Sequence, residues 1–233
     1  TLNALLARLD AAFQAERSFT ANAAHELRTP LAGAIAQVQR LRAESSDPAT
    51  TARAAEFEAG LKRLTRLSEG LMQLARAEGG KLRTGTPRDL RLIARLMAED
   101  TARLAGAAPV TLDLPAAPVL SDLDPDIFGI LVRNLVENAL RHGTPGAPVT
   151  ARLAPDATLS VENDCAPVPA ETLARLGTRF ERAPGAGKGS GLGLAIVRAI
   201  VTRSGGRLTL ASPLPGQDGG FSVRVTLQPA QPG

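Results

Sequence analysis

Tryptophan and tyrosine are absent and phenylalanine occurs only six times in 233 residues, which excludes an aromatic-rich core. With 44% of the chain apolar, the core falls to Leu, Val, Ile and Ala, a set that suits closely packed helices. A single cysteine, Cys165, rules out an internal disulfide and a cysteine-rich zinc site. It also fits a reducing compartment, so a cytoplasmic setting is expected. No run approaches the roughly 18 apolar residues of a membrane span, and no signal-peptide pattern is present, so a soluble chain is expected. There is no block of like charge either: 27 basic and 23 acidic residues are scattered for a net +4, and no nucleic-acid partner is implied. Neither a start methionine nor a helix cap precedes Thr1, and the amphipathic pattern is already running there, as though upstream parts of a longer protein were missing.

The length exceeds the about 100–150 residues of a typical domain, so two domains, or one domain with a helical extension, are expected. Leu2, Leu5, Leu9, Phe13, Phe19, Ala23 and Leu27 recur at spacings near three and four, which predicts one helix from residue 2 to about 44. At about 1.5 Å per residue it is about 65 Å long and needs a partner. Phe57, Leu61, Leu64, Leu71 and Leu74 supply one after a break at Ser45-Ser46-Asp47-Pro48. A helical hairpin follows, and two such hairpins pairing into a four-helix homodimer would bury the remaining stripe. Gly79-Gly80 ends the hairpin, and Thr84-Gly85-Thr86-Pro87 reads as a linker and hinge.

Beyond it the pattern predicts a helix over 88–106, a strand at Val110–Leu114, and a strong helix from Pro125 to His142 with Asp124 as its cap. Strands at 148–154 and 158–163, a Gly/Pro/Ala-rich loop, a helix over 191–203, and strands at 207–211 and 221–227 complete the chain. Helices alternating with mainly antiparallel strands predict an α/β two-layer sandwich.

Three places carry chemistry. In the stretch His25-Glu26-Leu27-Arg28-Thr29-Pro30-Leu31, His25 and Thr29 are four apart on one helical face, with Glu26 about 100° round. Pro30 cannot donate to the carbonyl of Glu26, so a bend is expected just beyond the histidine. A neutral imidazole can attack an electrophile while a neighbouring carboxylate takes the proton from its other nitrogen, which makes Glu26 a candidate general base for His25. The plain alternative is a solvated histidine on a coiled coil.

Along the edge of the 125–142 helix fall Asn134, Asn138 and Arg141, beside an apolar stripe of Phe128, Leu131, Leu135 and Ala139. Two amide oxygens one turn apart suit a hard cation such as Mg²⁺ bridging phosphates, with Glu137 and Arg141 placed to complete its surroundings; an ordinary polar helix edge is the alternative. Finally, Gly189, Gly191 and Gly193 precede an apolar helix and put bare N–H groups at its N-terminus, where phosphate is favoured; a tight turn alone would also use them. An asparagine helix, a loose loop holding Phe180, Arg182 and Lys188, and then a glycine helix describe a lidded nucleotide pocket.

Taken in order, these blocks resemble the sensor histidine kinases of bacterial two-component systems, from Leu2 to Leu227. Phe19 to Leu31 looks like the family's phosphoacceptor box, Asn134 to His142 its asparagine box, Phe180 to Arg182 its lid box, and Gly189 to Leu194 its last glycine box. The resemblance implies an α+β fold: an antiparallel hairpin forming a dimeric four-helix bundle, then a two-layer sandwich of the histidine kinase and gyrase-like ATPase type. It implies residues 1–18 as a signalling helix after a HAMP-like linker, 19–80 as the dimerisation and phosphotransfer hairpin, 81–87 as a linker, 88–229 as the ATP-binding domain, and 230–233 as a tail. A membrane is implied only through missing upstream segments, with this part on the cytoplasmic side of the bacterial inner membrane.

By the same resemblance His25 takes the γ-phosphoryl of ATP and passes it to an aspartate on the receiver domain of a response regulator. Thr29 becomes a candidate for orienting water when phosphate is removed from that regulator. ATP would be held by Asn134, Asn138, Arg141, His142, Asn163, Phe180, Arg182, Lys188, Gly189, Gly191, Leu192 and Gly193, with Mg²⁺ at Asn138 and Asn134.

One block departs from the pattern. Where the family shows Asp-x-Gly-x-Gly, this chain has Asn163-Asp164-Cys165-Ala166-Pro167. Asn163 still offers an acceptor to the adenine amino group but loses a charge-assisted bond, so weaker ATP binding is expected. Strand alternation places Asn163 with Leu159 and Val161 and sends Asp164 to the other face. Cys165 has no basic neighbour in sequence and reads as a small apolar filler. The same departures motivate an alternative, a degenerate kinase acting as scaffold or regulator phosphatase. An ATPase of the gyrase or chaperone type is a further one that leaves His25 without a role.

Overall fold

A computed structural model of the chain describes residues 26–106, 110–181 and 190–228. It divides into two compact units, residues 1–79 and 80–233.

In the first unit, helix α1 covers 26–44 and helix α2 covers Pro48–Gly79. α1 stays helical through Pro30. The expected break at 45–48 is a tight turn in which Asp47 caps α2: its carboxylate accepts from the backbone N–H of Ala49 at 3.2 Å and of Thr50 at 3.0 Å, and from the Thr50 hydroxyl at 2.6 Å. These bonds, the Thr50 hydroxyl foremost, hold the Asp47 carboxyl below the usual carboxylate range. Pro48 follows at the first helical position, where its missing N–H costs nothing. The register of the two helices is set at Glu58, which is 4% exposed. One of its oxygens accepts from Arg42 at 2.7 Å, and the other accepts from Gln39 at 2.9 Å and pairs with Lys62 at 2.7 Å. Leu27, Leu41, Phe57 and Leu64 each keep more than half of their surface exposed on this single hairpin.

The second unit begins with strand β1 (Arg83–Asp89), which pairs antiparallel with β3 (Leu120–Leu123). The segment 81–87, expected as a linker and hinge, therefore largely belongs to a strand. Its side chains are nearly all exposed and its pairing is irregular between Arg83 and Arg88, so it carries neither alternation nor an apolar signal. Arg83 is fixed by Asp122 at 2.5 Å and by the Ser204 carbonyl at 3.1 Å, which ties the strand into this unit.

A five-stranded sheet has the order β2-β4-β5-β7-β6, from β2 (Val110–Asp113), β4 (Val149–Leu153), β5 (Thr158–Asn163), β6 (Arg207–Ala211) and β7 (Phe221–Thr226). Only β2 and β4 are parallel among these pairings. Helices α3 (Leu90–Ala105), α4 (Pro125–His142) and α6 (Gly193–Arg203) form the second layer, with α4 packed between the other two. Asp124 caps α4 by accepting from Asp126 at 2.9 Å and Ile127 at 3.2 Å, with Pro125 in the first turn. Gly106 closes α3 at φ 56°, a left-handed conformation that glycine adopts without strain.

The core lies between the layers. Phe128, Leu131, Leu135 and Val136 of α4 and Ile196, Val197 and Ile200 of α6 meet Val149, Leu159, Val161 and Val225 of the sheet, all 2% exposed or less. Each such side chain contributes about 1.5–3 kcal/mol. Sheet and helix layer together form the predicted two-layer sandwich. Strand β3 and the six-residue helix α5 (Ala170–Arg175) are additions to the sequence expectation.

Candidate functional site

α4 presents its apolar stripe to the core, which leaves Asn134 and Asn138 half-buried at the stripe's edge, one turn apart. Asn134 is oriented by its own helix: its Nδ2 donates to the Ile130 carbonyl at 2.8 Å. Its Oδ1 then faces the backbone of Gly193, where an added Cβ would stand 3.3 Å from that oxygen. Arg141 and His142 are exposed at the end of α4, and Arg141 approaches Glu137 at 3.8 Å.

Gly193 opens α6, and the residue before it, Leu192, is 1% exposed. Among the described residues the Leu192 N–H donates to Ser190 Oγ at 3.3 Å, no other side chain caps this N-terminus and no acidic residue occupies its first turn, so the positive end of the helix dipole suits an anion. Gly191, at φ +72°, lies against the Phe180 backbone: an added Cβ would fall 2.8 Å from the Phe180 carbonyl carbon. The Phe180 N–H donates to the Gly191 carbonyl at 3.2 Å. Phe180 has a positive φ of 63° and is 59% exposed.

Sequence reasoning missed the anchor of the segment that carries Phe180. Arg198 of α6 donates to the Leu176 carbonyl at 2.9 Å and lies so close to Gly177 that a Cβ there would meet its Nε at 2.9 Å. Nothing in the local pattern marks Arg198, because it sits on an exposed helix face; Gly177, at φ +88°, was the available signal.

Asn163 ends β5 and is 3% exposed, whereas Asp164 is exposed, the arrangement that strand alternation predicts. The Asn163 Nδ2 donates to the Asp164 carbonyl at 3.3 Å, an oxygen that also takes the Thr144 N–H at 2.7 Å. Gly143, just past α4, packs on the side chain: an added Cβ would be 3.4 Å from the Asn163 Cβ. The Cys165 thiol lies beside the same amide, and burial pushes it up from its ordinary value, so it is protonated at neutral pH.

Of the residues singled out from the sequence, Asn134 and Gly193 are brought together, and so are Phe180 and Gly191. Asn138, Arg141 and His142 follow on the same helix as Asn134. Glu26 and Thr29 are exposed on α1. His25, Arg182, Lys188 and Gly189 lie outside the described residues. Among the described residues no group of three or more His, Cys, Asp or Glu side chains could hold a metal ion. A cation here would be held by the asparagine amide oxygens together with phosphate oxygens, a hard-oxygen set that fits Mg²⁺.

Residues 15–80 match the His kinase A (phospho-acceptor) domain, and residues 123–231 match the histidine kinase-, DNA gyrase B- and HSP90-like ATPases. The chain belongs to the sensor histidine kinases. It is 34% identical over 231 residues to the sensor protein QseC of Escherichia coli (strain K12), covering 97% of this chain and 51% of that one. It is 36% identical over 244 residues to the sensor protein kinase PmrB of Pseudomonas aeruginosa, covering 99% of this chain and 49% of that one. The chain thus spans about half the length of the curated relatives it matches. Among solved structures, a mycobacterial sensor histidine kinase, MprB, superposes with a TM-score of 0.56 at 26% identity over 62% of this chain and 99% of that one. Full-length ShkA, solved with AMPPNP, shares the fold with a TM-score of 0.61 at 21% identity, over 92% of this chain and 47% of that one. Among the described residues of this histidine kinase, no helix is long and apolar enough to cross a membrane.

Proposed function

We propose that this chain is the kinase part of a two-component sensor. It binds ATP over α4 and α6, moves the γ-phosphoryl to His25, and passes it to an aspartate on a response regulator. The observation that carries this reading is the meeting of Asn134 Oδ1 with Gly193 at the uncapped start of α6. That meeting puts a hard oxygen beside the positive N-terminal end of α6, a pairing suited to a magnesium-bound phosphate chain. Asn134 and Asn138 would hold Mg²⁺, which lowers the charge repulsion on the transferring phosphate. Leu192 and Gly193 face the phosphates, with Gly189, Gly191, Lys188, Arg182 and Phe180 as the lid, Arg141 and His142 at its edge, and Asn163 at the base. Transfer from a loose phosphoryl transition state is mostly positioning and electrostatics, so His25 needs alignment, with Glu26 accepting its proton.

The exposed Leu27, Leu41, Phe57 and Leu64 support a homodimer, because a second hairpin is the simplest cover for that stripe. Residues 19–80 serve as the hairpin and 88–229 as the ATP-binding domain. Thr29 orients water for removal of phosphate from the regulator. In the full-length protein the unit works on the cytoplasmic side of a membrane. The test is incubation with γ-labelled ATP and Mg²⁺: an acid-labile, base-stable phosphoprotein is expected, absent in His25→Gln and in EDTA. Equal labelling of His25→Gln would overturn the reading.

A further inference from the structure

We infer that Arg198 is a positioning residue for nucleotide: it ties the segment 176–181 to α6 and so keeps the Phe180 backbone seated on Gly191, just ahead of the phosphate-facing end of that helix. The inference rests on the proposed nucleotide site and adds to it a residue that acts at a distance from the phosphates. Arg198 lies in the second turn of α6, on its exposed side. Its Nη2 donates to the Leu176 carbonyl at 2.9 Å. A Cβ on Gly177 would stand 2.9 Å from the Arg198 Nε and 3.2 Å from its Cζ, so the guanidinium fills the space that any other residue's side chain would need there. Further along, the Phe180 N–H donates to the Gly191 carbonyl at 3.2 Å, and a Cβ on Gly191 would fall 3.0 Å from the Glu181 carbonyl oxygen. The segment is thus held at two places, one on α6 and one at the residues that lead into it.

Apolar burial does little to hold the segment. Helix α5, which leads into it, buries none of its residues, and of residues 176–181 only Gly177 is buried. The Thr178 N–H donates to the Arg175 carbonyl at 3.1 Å, the Glu181 N–H donates to the Thr178 carbonyl at 3.3 Å, and Arg175 pairs with Glu181. Those bonds fold the segment on itself and leave its place on α6 to Arg198. A charge-assisted bond from a side chain rooted in a packed helix is suited to that task. Without it the seat of Phe180 on Gly191 is populated only part of the time, and nucleotide binding weakens by the fraction lost. Gly191 holds φ +72°, and once the contact goes it is free to leave that conformation, so the chain that delivers Gly193 beside Asn134 loses its order.

The experiment is calorimetry of the whole chain with Mg·ADP, beside autophosphorylation kinetics with labelled ATP, on the natural chain, Arg198→Met and Arg198→Lys. Methionine keeps much of the length without a donor, whereas lysine can still reach the Leu176 carbonyl. Arg198→Met is expected to weaken Mg·ADP about tenfold and to raise the KM for ATP by a similar factor, with kcat kept within about twofold. Arg198→Lys is expected to recover most of that loss. Mg·ADP affinity in Arg198→Met within about twofold of the natural chain overturns the inference and leaves the nucleotide site standing. A lowered kcat at unchanged KM overturns it as well, and so does a loss that Arg198→Lys shares in full. A natural chain that binds no Mg·ADP takes down the nucleotide reading itself and this inference with it. Should Arg198→Met fail to fold, Gly177→Ala displaces the guanidinium from outside α6; the same rise in KM is expected, and an unchanged KM overturns the inference.

Discussion

Gly191 lies directly beneath the backbone of Phe180, with room for no side chain: a Cβ on Gly191 would come within 2.9 Å of the Phe180 Cα, and the two residues share a hydrogen bond of 3.2 Å. Gly191 also has φ +72°, which any other residue would hold at a cost of about 1–2 kcal/mol. Gly191→Ala is therefore expected to push the lid segment off α6. Affinity for Mg·ADP should fall at least about tenfold, with a loss of stability near that backbone cost. Calorimetry beside thermal melting separates the two; unchanged affinity would show that the lid contact is unrelated to nucleotide.

Asn134 points its oxygen at Gly193 while its nitrogen is spent on the Ile130 carbonyl. Asn134→Ala removes a cation ligand and a hydrogen bond worth about 1 kcal/mol, so the fold should survive. The expected result is specific to the metal: Mg²⁺ tightens ADP binding in the natural chain and does so much less in the variant. Equal enhancement by Mg²⁺ in both would remove Asn134 from the metal site.

Glu58 of α2 joins α1 through Gln39 and Arg42 and pairs with Lys62 of its own helix. Lys62 and Gln39 hold its carboxyl below the usual carboxylate range, ahead of the charges of Arg42 and Lys62. Its contribution is therefore present above the ordinary carboxylate pKa and is lost as pH falls below it. Glu58→Ala should lower the melting temperature of the hairpin's circular dichroism signal. Glu58→Gln should lower it less, and the gap between natural chain and Ala variant should shrink in acid. A gap that grows in acid would contradict the assigned pairing.

Asp89 caps α3 and is gripped by Arg91, whose hydrogen bonds are the main cause of a carboxyl pKa lowered from 3.8 to about 2. The Val119 N–H adds a bond from the neighbouring segment at 3.2 Å. A depressed carboxyl stabilises the fold above its unfolded pKa, and that stabilisation disappears as pH falls from 3.8 towards about 2. At neutral pH Asp89→Ala is expected to cost about 1–2 kcal/mol in urea unfolding. The difference from the natural chain should narrow through that acid window, and a difference independent of pH would refute the electrostatic part of the account.

Much of the second unit was legible because its strongest signals are local. Asp124-Pro125 marks a helix start by capping chemistry alone, and α4 begins there. Alternation in Leu159, Val161 and Asn163 places the amide inward, as it is found. β1 and β3 were not legible. β1 contains Gly85 and Pro87 and is exposed along most of its length, while β3 is four residues long and buried at its last three. Neither has a period to read. The hold of Arg198 on the Leu176 carbonyl was not legible for another reason, since it joins residues far apart in sequence by a backbone carbonyl, with Gly177 as its only local mark. The pairing of Asn134 with Gly193 was anticipated as a shared pocket, but which amide atom faces the glycine depends on the Ile130 carbonyl and needed the fold.

The most direct measurement is mass-spectrometric mapping of the phosphoryl group after incubation with ATP and Mg²⁺, kept at neutral to alkaline pH throughout to preserve a phosphoramidate. The account predicts phosphate on the imidazole of His25 and its loss in Asn134→Ala. Phosphate confined to serine or threonine hydroxyls, or a nucleotide-saturated chain that carries none, would contradict it.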